Sequence, residues 1–439
     1  MLKCGMSEVN ITPPLGTEIP GYFHTRIASG VKDELYAKAM VLDDGERVVA
    51  LIAIDAISIG KTQVQEIRKR SFEMTGILEK NIMVSATHSH TGGPVESWGE
   101  FIHKDDEYLS YLVKKSADAA VLAFNNQNSV RIGWGVGTEN GIGFNRRYLM
   151  KDGTLRTNPG IKNPDIVKAA GPIDPDVTVM RIDDLDGKPI GVVTNFACHL
   201  DVVSGTEFCA DYPGELSTVL KKVLGQEVVS LFLTGACGNI NHIDVSGKFV
   251  TSANHYKRMG RVLAGEVLKC REKIDLTDNV KLAAEIAVLA VEVRSPSEDY
   301  IEKAEDIIRS TTGEIEELIK SSYGQLIELF YAKEAVRMYC EKEKVTEIDI
   351  QVISVGELGI VGLSGEIFVE FGLEIKNRSG FQYNMINTLT NGSNGYVPTR
   401  DALYSGGYES RLCSSSKLEA DAGYKMVDKA VEILSELKD

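Results

Sequence analysis

The apolar run at residues 48–54 is the feature that most constrains the fold. All seven side chains of this run are apolar, so a strand here has no polar face and must be covered on both sides. The turn Asp43-Asp44-Gly45 before it predicts a hairpin with an apolar strand at 36–42. Asp55 follows the run, where α/β folds often place site residues, but we favour a helix cap as its role.

Further strands and helices alternate along the chain, as is typical of α/β proteins. Strands are predicted at 82–84, 130–137, 176–183, 189–198, 228–233, 280–293, 347–355 and 358–363. Helices are predicted at 61–74, 105–124, 212–223, 252–271 and 420–437. We therefore predict a single domain over residues 1–439, with a mixed, largely buried β-sheet, flanking helices and an active site at the strand ends. Residues 151–175 predict a long loop, and the charged stretch at about 297–344 predicts a helical insertion, which we interpret as a hairpin of two helices.

Two histidines follow the predicted strand at 82–84. His88 and His90 are spaced H-x-H and precede a Gly-Gly-Pro turn. Residues two apart on an extended backbone point to the same side, so both rings would face one cavity. Histidine in such a place can bind a metal or transfer a proton. A pair of surface or core histidines is the alternative that this motif alone leaves open.

Polar residues also end other apolar strands. His199 follows Phe196-Ala197-Cys198, and Glu366 follows the predicted strand at 358–363. The glycine-rich loop at 141–148 carries Arg146, whose guanidinium is suited to holding a carboxylate or a polarised oxygen. A solvated loop arginine is the commoner outcome for such a residue.

Charge and composition exclude several classes of protein. The net charge of −15 argues against binding the phosphate backbone of a nucleic acid. No apolar run is long enough to span a bilayer, and the N-terminus lacks the apolar core of a secretory signal. Seven cysteines without a CxxC pair fit a reducing compartment. We therefore expect a cytoplasmic protein; the oligomeric state is left open.

Taken together, these motifs resemble the neutral/alkaline, non-lysosomal ceramidase family, specifically its catalytic domain. The resemblance runs through nearly the whole chain and rests on several motifs in the family's order. These are Ile11-Thr12-Pro13-Pro14, Gly21-Tyr22, Thr87-His88-Ser89-His90-Thr91-Gly92, Asn145-Arg146, Phe196-Ala197-Cys198-His199, Gly365-Glu366, Tyr396-Val397-Pro398-Thr399 and Tyr408-Glu409. Any single match is weak, but this many in the right order are hard to explain by chance.

The resemblance implies a zinc site and a set of catalytic residues. Carried over from the family, the Zn²⁺ ligands are His88, His199, Glu366 and Tyr396. Such a shell of nitrogen and oxygen ligands is plausible for zinc and leaves room for water or substrate. The residues that line the catalytic centre are His90, Arg146 and Tyr408, and Gly21 and Asn241 are expected to contact substrate. His90 is the candidate to pass a proton to the leaving amine.

The chain departs from the family at one substrate-contacting position and at its end. Asn241 stands where the family has a serine, and nothing after the closing helix corresponds to the family's C-terminal immunoglobulin-like domain. We expect a zinc-dependent hydrolase that cleaves an amide (N-acyl) bond by metal-activated water. Its substrate would be a small-molecule or lipid-like acyl compound, but not ceramide itself.

Three other functions stay open at this point. The first is a zinc-dependent hydrolase of an ester, a lactone or a carbohydrate-linked acyl group, and the second is a non-catalytic protein with a structural metal. The third is nucleophilic chemistry at Cys198 or Cys237, although small buried cysteines are usually inert.

Overall fold

Two β-sheets pack face to face and share an apolar core. A computed structural model describes residues 1–249 and 252–438. The larger sheet has eight strands, which begin in spatial order at residues 229, 189, 176, 128, 3, 36, 48 and 82, and the smaller has four, which begin at residues 282, 345, 358 and 383. Within the described residues, no helix combines the length and apolarity that crossing a membrane requires. The mixed sheet with flanking helices that the sequence predicts is confirmed, but it is divided into two layers.

The strands and helices of the described chain have the following bounds. The strands are β1 (Lys3–Asn10), β2 (Glu18–Ile19), β3 (Arg26–Ile27), β4 (Gly30–Val31), β5 (Tyr36–Asp43), β6 (Val48–Ile54), β7 (Ile82–Ala86), β8 (Asn128–Thr138), β9 (Phe144–Asn145), β10 (Arg147–Met150), β11 (Leu155–Thr157), β12 (Ile166–Ala169), β13 (Asp176–Asp184), β14 (Pro189–Phe196), β15 (Glu207–Phe208), β16 (Val229–Thr234), β17 (Ile240–Asn241), β18 (Leu282–Glu292), β19 (Val345–Val355), β20 (Leu358–Leu363), β21 (Glu366–Ile367), β22 (Tyr383–Asn387) and β23 (Tyr396–Val397). The helices are α1 (Lys61–Thr75), α2 (Asp106–Asn125), α3 (Asp211–Leu224), α4 (His255–Arg271), α5 (Glu298–Ser310), α6 (Ile315–Ser321), α7 (Tyr323–Glu341), α8 (Val369–Arg378), α9 (Arg400–Tyr404) and α10 (Ala422–Lys438).

Strand β6 is apolar throughout because both of its faces are covered. Ala50, Ile52 and Ile54 pack against helices α1 and α2. Leu51 and Ala53 point the other way and join the core shared with the four-stranded sheet. The alternation has the period of two that a pleated strand imposes. As predicted, a hairpin joins β5 to β6, whereas β7 lies parallel to β6.

Helices cover the outer faces of both sheets. Helices α3 and α4 pack over β13 and β14, and α8 and α10 pack on the outer face of the four-stranded sheet. The result is a stack of helices, sheet, sheet and helices, in which polar residues that follow the strands collect at one edge.

Two predictions about connecting segments were wrong in detail. The segment predicted as one long loop contains strands β11 and β12, which flank β10 in a small sheet. These strands are short and largely exposed, so they carry no apolar period. The helical insertion between β18 and β19 is confirmed, but it has three helices and not two. Gly313, with φ +104°, separates α5 from α6, and Ser322 separates α6 from α7.

Candidate metal centre

The loop after β7 holds His88 in a left-handed backbone conformation. Its φ is +74°, and its amide and that of Ser89 both donate to the carbonyl of Ala56, at 2.9 and 3.1 Å. Such a conformation is uncommon outside glycine and costs about 1–3 kcal/mol, so it persists where surrounding contacts impose it. The extended backbone that we expected at the H-x-H motif is therefore wrong. The two rings nevertheless converge, with their Nε2 atoms 3.4 Å apart.

Three imidazoles meet at this point with the same tautomer. The Nδ1 atoms of His88, His90 and His199 each lie against a backbone carbonyl. Those carbonyls belong to Ile57, Gly21 and Cys237, at 2.8, 3.0 and 2.7 Å respectively. A carbonyl only accepts, so each Nδ1 carries a proton and each Nε2 is the atom left to bind a metal ion or a second proton. The ring nitrogens lie within 4.8 Å of one another, close enough to hold one metal ion.

Glu366 adds a carboxylate to the same point. Its Oε2 lies 3.4 Å from Nε2 of His88 and 3.1 Å from Nε2 of His199. Among the described residues this buried oxygen has no hydrogen-bond partner. A carboxylate this close to two imidazole nitrogens is balanced by a cation, which is either a proton on an imidazole or a metal ion, and the mixed N,O donor set of these residues suits zinc.

Burial and neighbouring charges act on the ionisation of this cluster. Burial, reinforced by His88, lowers the pKa of His90 to about 3, so its imidazole is neutral near pH 7. Burial and the Arg146 guanidinium lower the pKa of His199. At Glu366, burial raises the pKa, but the imidazoles of His88 and His199 more than offset it and hold the pKa well below its usual range.

Tyr396 lies beside Glu366 because their strands pair in register. Strands β21 and β23 are parallel, with Glu366 opposite Tyr396. The buried Tyr396 ring is stacked with His199, at 6.5 Å between centroids, and meets the Tyr408 ring edge-on at 5.6 Å. Burial and the Glu366 carboxylate raise the pKa of both phenols, and a cation bound beside Tyr396 would oppose this shift. All four predicted ligands thus lie together.

Arg146 is buried behind the two tyrosines and is not a solvated loop residue. Its Nε donates to Glu409 Oε1 at 2.8 Å, and its guanidinium lies 5.3 and 5.8 Å from the ring centroids of Tyr396 and Tyr408. A second guanidinium, that of Arg147, lies 3.1 Å from Glu409 Oε2. Glu409 is fully buried. One carboxylate thus fixes two arginines, a role that the sequence did not reveal.

The centre opens into a cavity of about 430 Å³ that His88, His90, Glu366, Tyr396 and Tyr408 line. Glu96, Glu334 and Arg337 form its more distant wall. These three residues were not predicted. Glu96 lies in a loop, and Glu334 and Arg337 lie in the helical insertion. Only the folding of the chain brings these segments to the cavity.

The two predicted substrate contacts differ in position. Gly21 lines the cavity, and its carbonyl accepts from His90. Asn241 is fully buried, and its amide donates to Asn158 Oδ1 at 3.0 Å while its own Oδ1 accepts from the amide of Ile243. Within residues 1–249 and 252–438, Asn241 is not among those that line the cavity.

Asp55 does not cap a helix, so the role that we favoured for it is wrong. It accepts a hydrogen bond from the amide of Tyr36 at 2.9 Å and from Thr87 Oγ1 at 3.3 Å. It lines a separate cavity of about 240 Å³ with Lys38. Its hydrogen bond with Thr87 helps to fix Thr87, the residue that precedes His88.

The buried cysteines do not have the properties of nucleophiles. Cys198 and Cys237 are fully buried, and burial raises the pKa of both thiols above the usual value. A reactive cysteine needs a lowered pKa and access to solvent. The geometry gives the cysteine alternative no support.

Comparison with known proteins finds a matching family model and similar folds. Residues 2–209 match the family model of neutral/alkaline non-lysosomal ceramidase, N-terminal. A crystal structure of neutral ceramidase from Pseudomonas aeruginosa superposes with a TM-score of 0.75 at 16% identity, over 99% of this chain and 74% of that one. A ceramidase complexed with C2 gives a TM-score of 0.74 at 17% identity, over 100% and 75% of the two chains.

Proposed function

We propose, from the premise that this chain belongs to the neutral/alkaline non-lysosomal ceramidase family, that it is a zinc-dependent amide hydrolase. Membership of the family supports a hydrolase of amide bonds with an acyl substrate. The proposal also covers the identity of the ion, which we take to be zinc, and the roles of the individual residues.

The main support for the proposal is that the ligand atoms of several side chains converge on one point of the candidate centre. His88, His199 and Glu366 turn acceptor atoms toward one point, and Tyr396 lies beside them. These four residues would hold the ion. Bound zinc supplies a water of lowered pKa, from about 15.7 towards about 7, and polarises the scissile carbonyl. Because a cavity opens onto the ligands, the site differs from the closed shell of a structural zinc.

We assign proton transfer to His90, whose ring nitrogen lies in the same cluster as those of His88 and His199. Its ring centroid lies 5.9 Å from that of His199, whereas the His88 centroid lies at 4.6 Å. The Glu366 carboxylate approaches His88 and His199. With Nδ1–H donated to Gly21, the free Nε2 of His90 accepts a proton and can return it to the leaving amine.

Tyr408 can donate to the carbonyl oxygen, and Arg146 supports it from behind. Tyr408 lines the cavity and is 39% exposed, so a substrate can reach it. A donor of this kind typically contributes about 10²–10³ in rate. Arg146 is not among the described residues that line the cavity, and its buried guanidinium adds a fixed positive charge behind the Tyr408 ring. Asn241 is buried and is no nucleophile, which favours direct attack by water.

Removal and replacement of the metal test the proposal. The purified protein is expected to hold about one zinc per chain, to lose amide hydrolysis on chelation and to regain it when Zn²⁺ is added. Matched N-acyl and O-acyl compounds, assayed before and after chelation, identify the bond. Full activity after complete removal of metal would contradict the proposal. Hydrolysis confined to the O-acyl compounds would show that the protein is an esterase.

Replacing Gly21 with alanine is expected to lower kcat/KM by about 10- to 100-fold, because small misplacements of a reacting group cost that much. A Cβ at Gly21 would lie 2.9 Å from Nδ1 of His90, and the glycine has φ +107°. The change therefore displaces the imidazole or breaks its bond to the carbonyl. Steady-state kinetics on the zinc-loaded variant measure the effect.

Gly16→Ala is the matched control for this experiment. Gly16 also has a positive φ, +89°, but a Cβ there meets open space. Its variant shares the backbone strain and leaves His90 untouched, so it should keep wild-type kinetics. Equal losses in the two variants would show that strain alone is responsible.

A further inference from the structure

The wall of the cavity beyond the metal centre combines polar and apolar surface in similar amounts. Of the described residues that line the cavity, five are serines and three carry aliphatic side chains. The aliphatic residues are Ile57, Val95 and Leu389. An alkyl chain gains affinity in proportion to the apolar surface that it covers. A compact substrate with both polar and apolar groups therefore suits this wall better than the long chains of a lipid.

The helical insertion builds one side of this wall. Helix α7 contributes Glu334 and Arg337, and the Nε and Nη2 atoms of Arg337 each donate to the Glu334 carboxylate at 3.0 Å. The same carboxylate accepts from the amide of Ser414 at 3.1 Å. The charges are thus fixed in place, and covering them with hydrocarbon would remove their remaining water without replacement.

Glu96 faces the same cavity from the loop after the H-x-H motif. Its carboxylate accepts a hydrogen bond from the Ser58 hydroxyl, and the residue is half-buried in the wall. Burial raises the pKa of Glu96, and its carboxylate form only accepts, so a substrate partner that brings hydrogen-bond donors stabilises that form. Trp98 also lines the cavity, so an aromatic surface is available to the carbon atoms of a ring. A compact ring that carries several hydrogen-bond donors is characteristic of a sugar.

We infer that the substrate is a short-chain N-acyl amide of a hydroxyl-rich amine, of the class of N-acylated amino sugars, whose hydroxyl groups donate to Glu96. The inference rests on the proposed hydrolase function and specifies its substrate. Water adds across the amide bond, so that the carbon–nitrogen bond breaks and a carboxylate and the free amino sugar are formed. The cavity volume of about 430 Å³ lies toward the lower end for small-molecule sites.

Competition between substrates tests this class. The zinc-loaded enzyme is assayed with N-acetylglucosamine, with N-acetylated amino acids and with a long-chain ceramide in detergent. We expect kcat/KM for the amino sugar to exceed that for either of the others by at least about tenfold, the effect of a charged hydrogen bond. Preference for the ceramide or for the amino acids overturns the substrate class and leaves the hydrolase standing. Hydrolysis of none of them by protein that binds zinc overturns the class as well as the proposed function.

Variants of Glu96 test its part directly. Glu96→Ala is expected to raise KM for the amino sugar by about tenfold or more with little change in kcat, and Glu96→Gln by less, since it keeps an acceptor oxygen. Zinc content should stay at wild-type level in both. Glu107→Ala, at an exposed position on α2, is the control and should change neither constant. An unchanged KM in both Glu96 variants would contradict the assignment.

Discussion

Replacing His88 or His199 with alanine is expected to remove bound zinc and to lower amide hydrolysis by at least about 10³-fold, since a water of lowered pKa is then no longer available. Each ring supplies one of the converging Nε2 lone pairs, and Glu366 lies within 3.4 Å of both. With one ring missing, a single imidazole remains beside the oxygens of Glu366 and Tyr396, so the affinity of the site for zinc falls. Metal analysis of dialysed protein, next to initial rates, measures both losses.

Two further histidine variants make this experiment specific. His103 is exposed and bonds Glu18, so His103→Ala should keep both zinc and activity. His90→Ala should keep most of its zinc while losing activity, because its ring lies farther from His199 than the His88 ring does. Full stoichiometric zinc in both the His88 and the His199 variant would refute the metal site. Loss of zinc from the His90 variant would make that residue a ligand.

The residues at strand ends could be predicted because the strands themselves are visible in the sequence. The apolar runs before His88, His199 and Glu366 mark buried strands, and the ends of such strands meet at an edge of the sheet. Resemblance to the family added Tyr396, which no pattern of spacing would have selected. The structure brings the four side chains together.

Other features depend on contacts between distant parts of the chain and leave no local trace. The pair of Arg146 and Glu409 is separated by 263 positions. The left-handed conformation of His88 is imposed by the carbonyl of Ala56, and the approach of Glu334 to the cavity depends on how the insertion packs. Sequence patterns report which side chains are buried, but they do not report which polar groups become partners.

Replacing Glu409 with alanine should lower the free energy of unfolding by about 3–5 kcal/mol, the usual cost of breaking a buried ion pair from one side. Its carboxylate is fully buried and is the anionic partner of both Arg146 and Arg147, at 2.8 and 3.1 Å. Without it, two buried guanidinium groups would repel each other and lose their hydrogen bonds. Urea denaturation measures the change in unfolding free energy, and the midpoint should fall.

Glu409→Gln and Glu305→Gln separate charge from packing in this result. Glu409→Gln keeps the shape of the side chain, so a loss of similar size would assign the effect to charge, and a stability equal to wild type would contradict the prediction. Glu305 forms an exposed pair with Arg309 on α5, and its variant should leave the midpoint unchanged. Because Glu409 fixes the guanidinium behind Tyr396 and Tyr408, we also expect kcat of the folded Glu409→Gln protein to fall more than KM changes. A change confined to stability would mean that Arg146 holds its place through its bond to the carbonyl of Gly238.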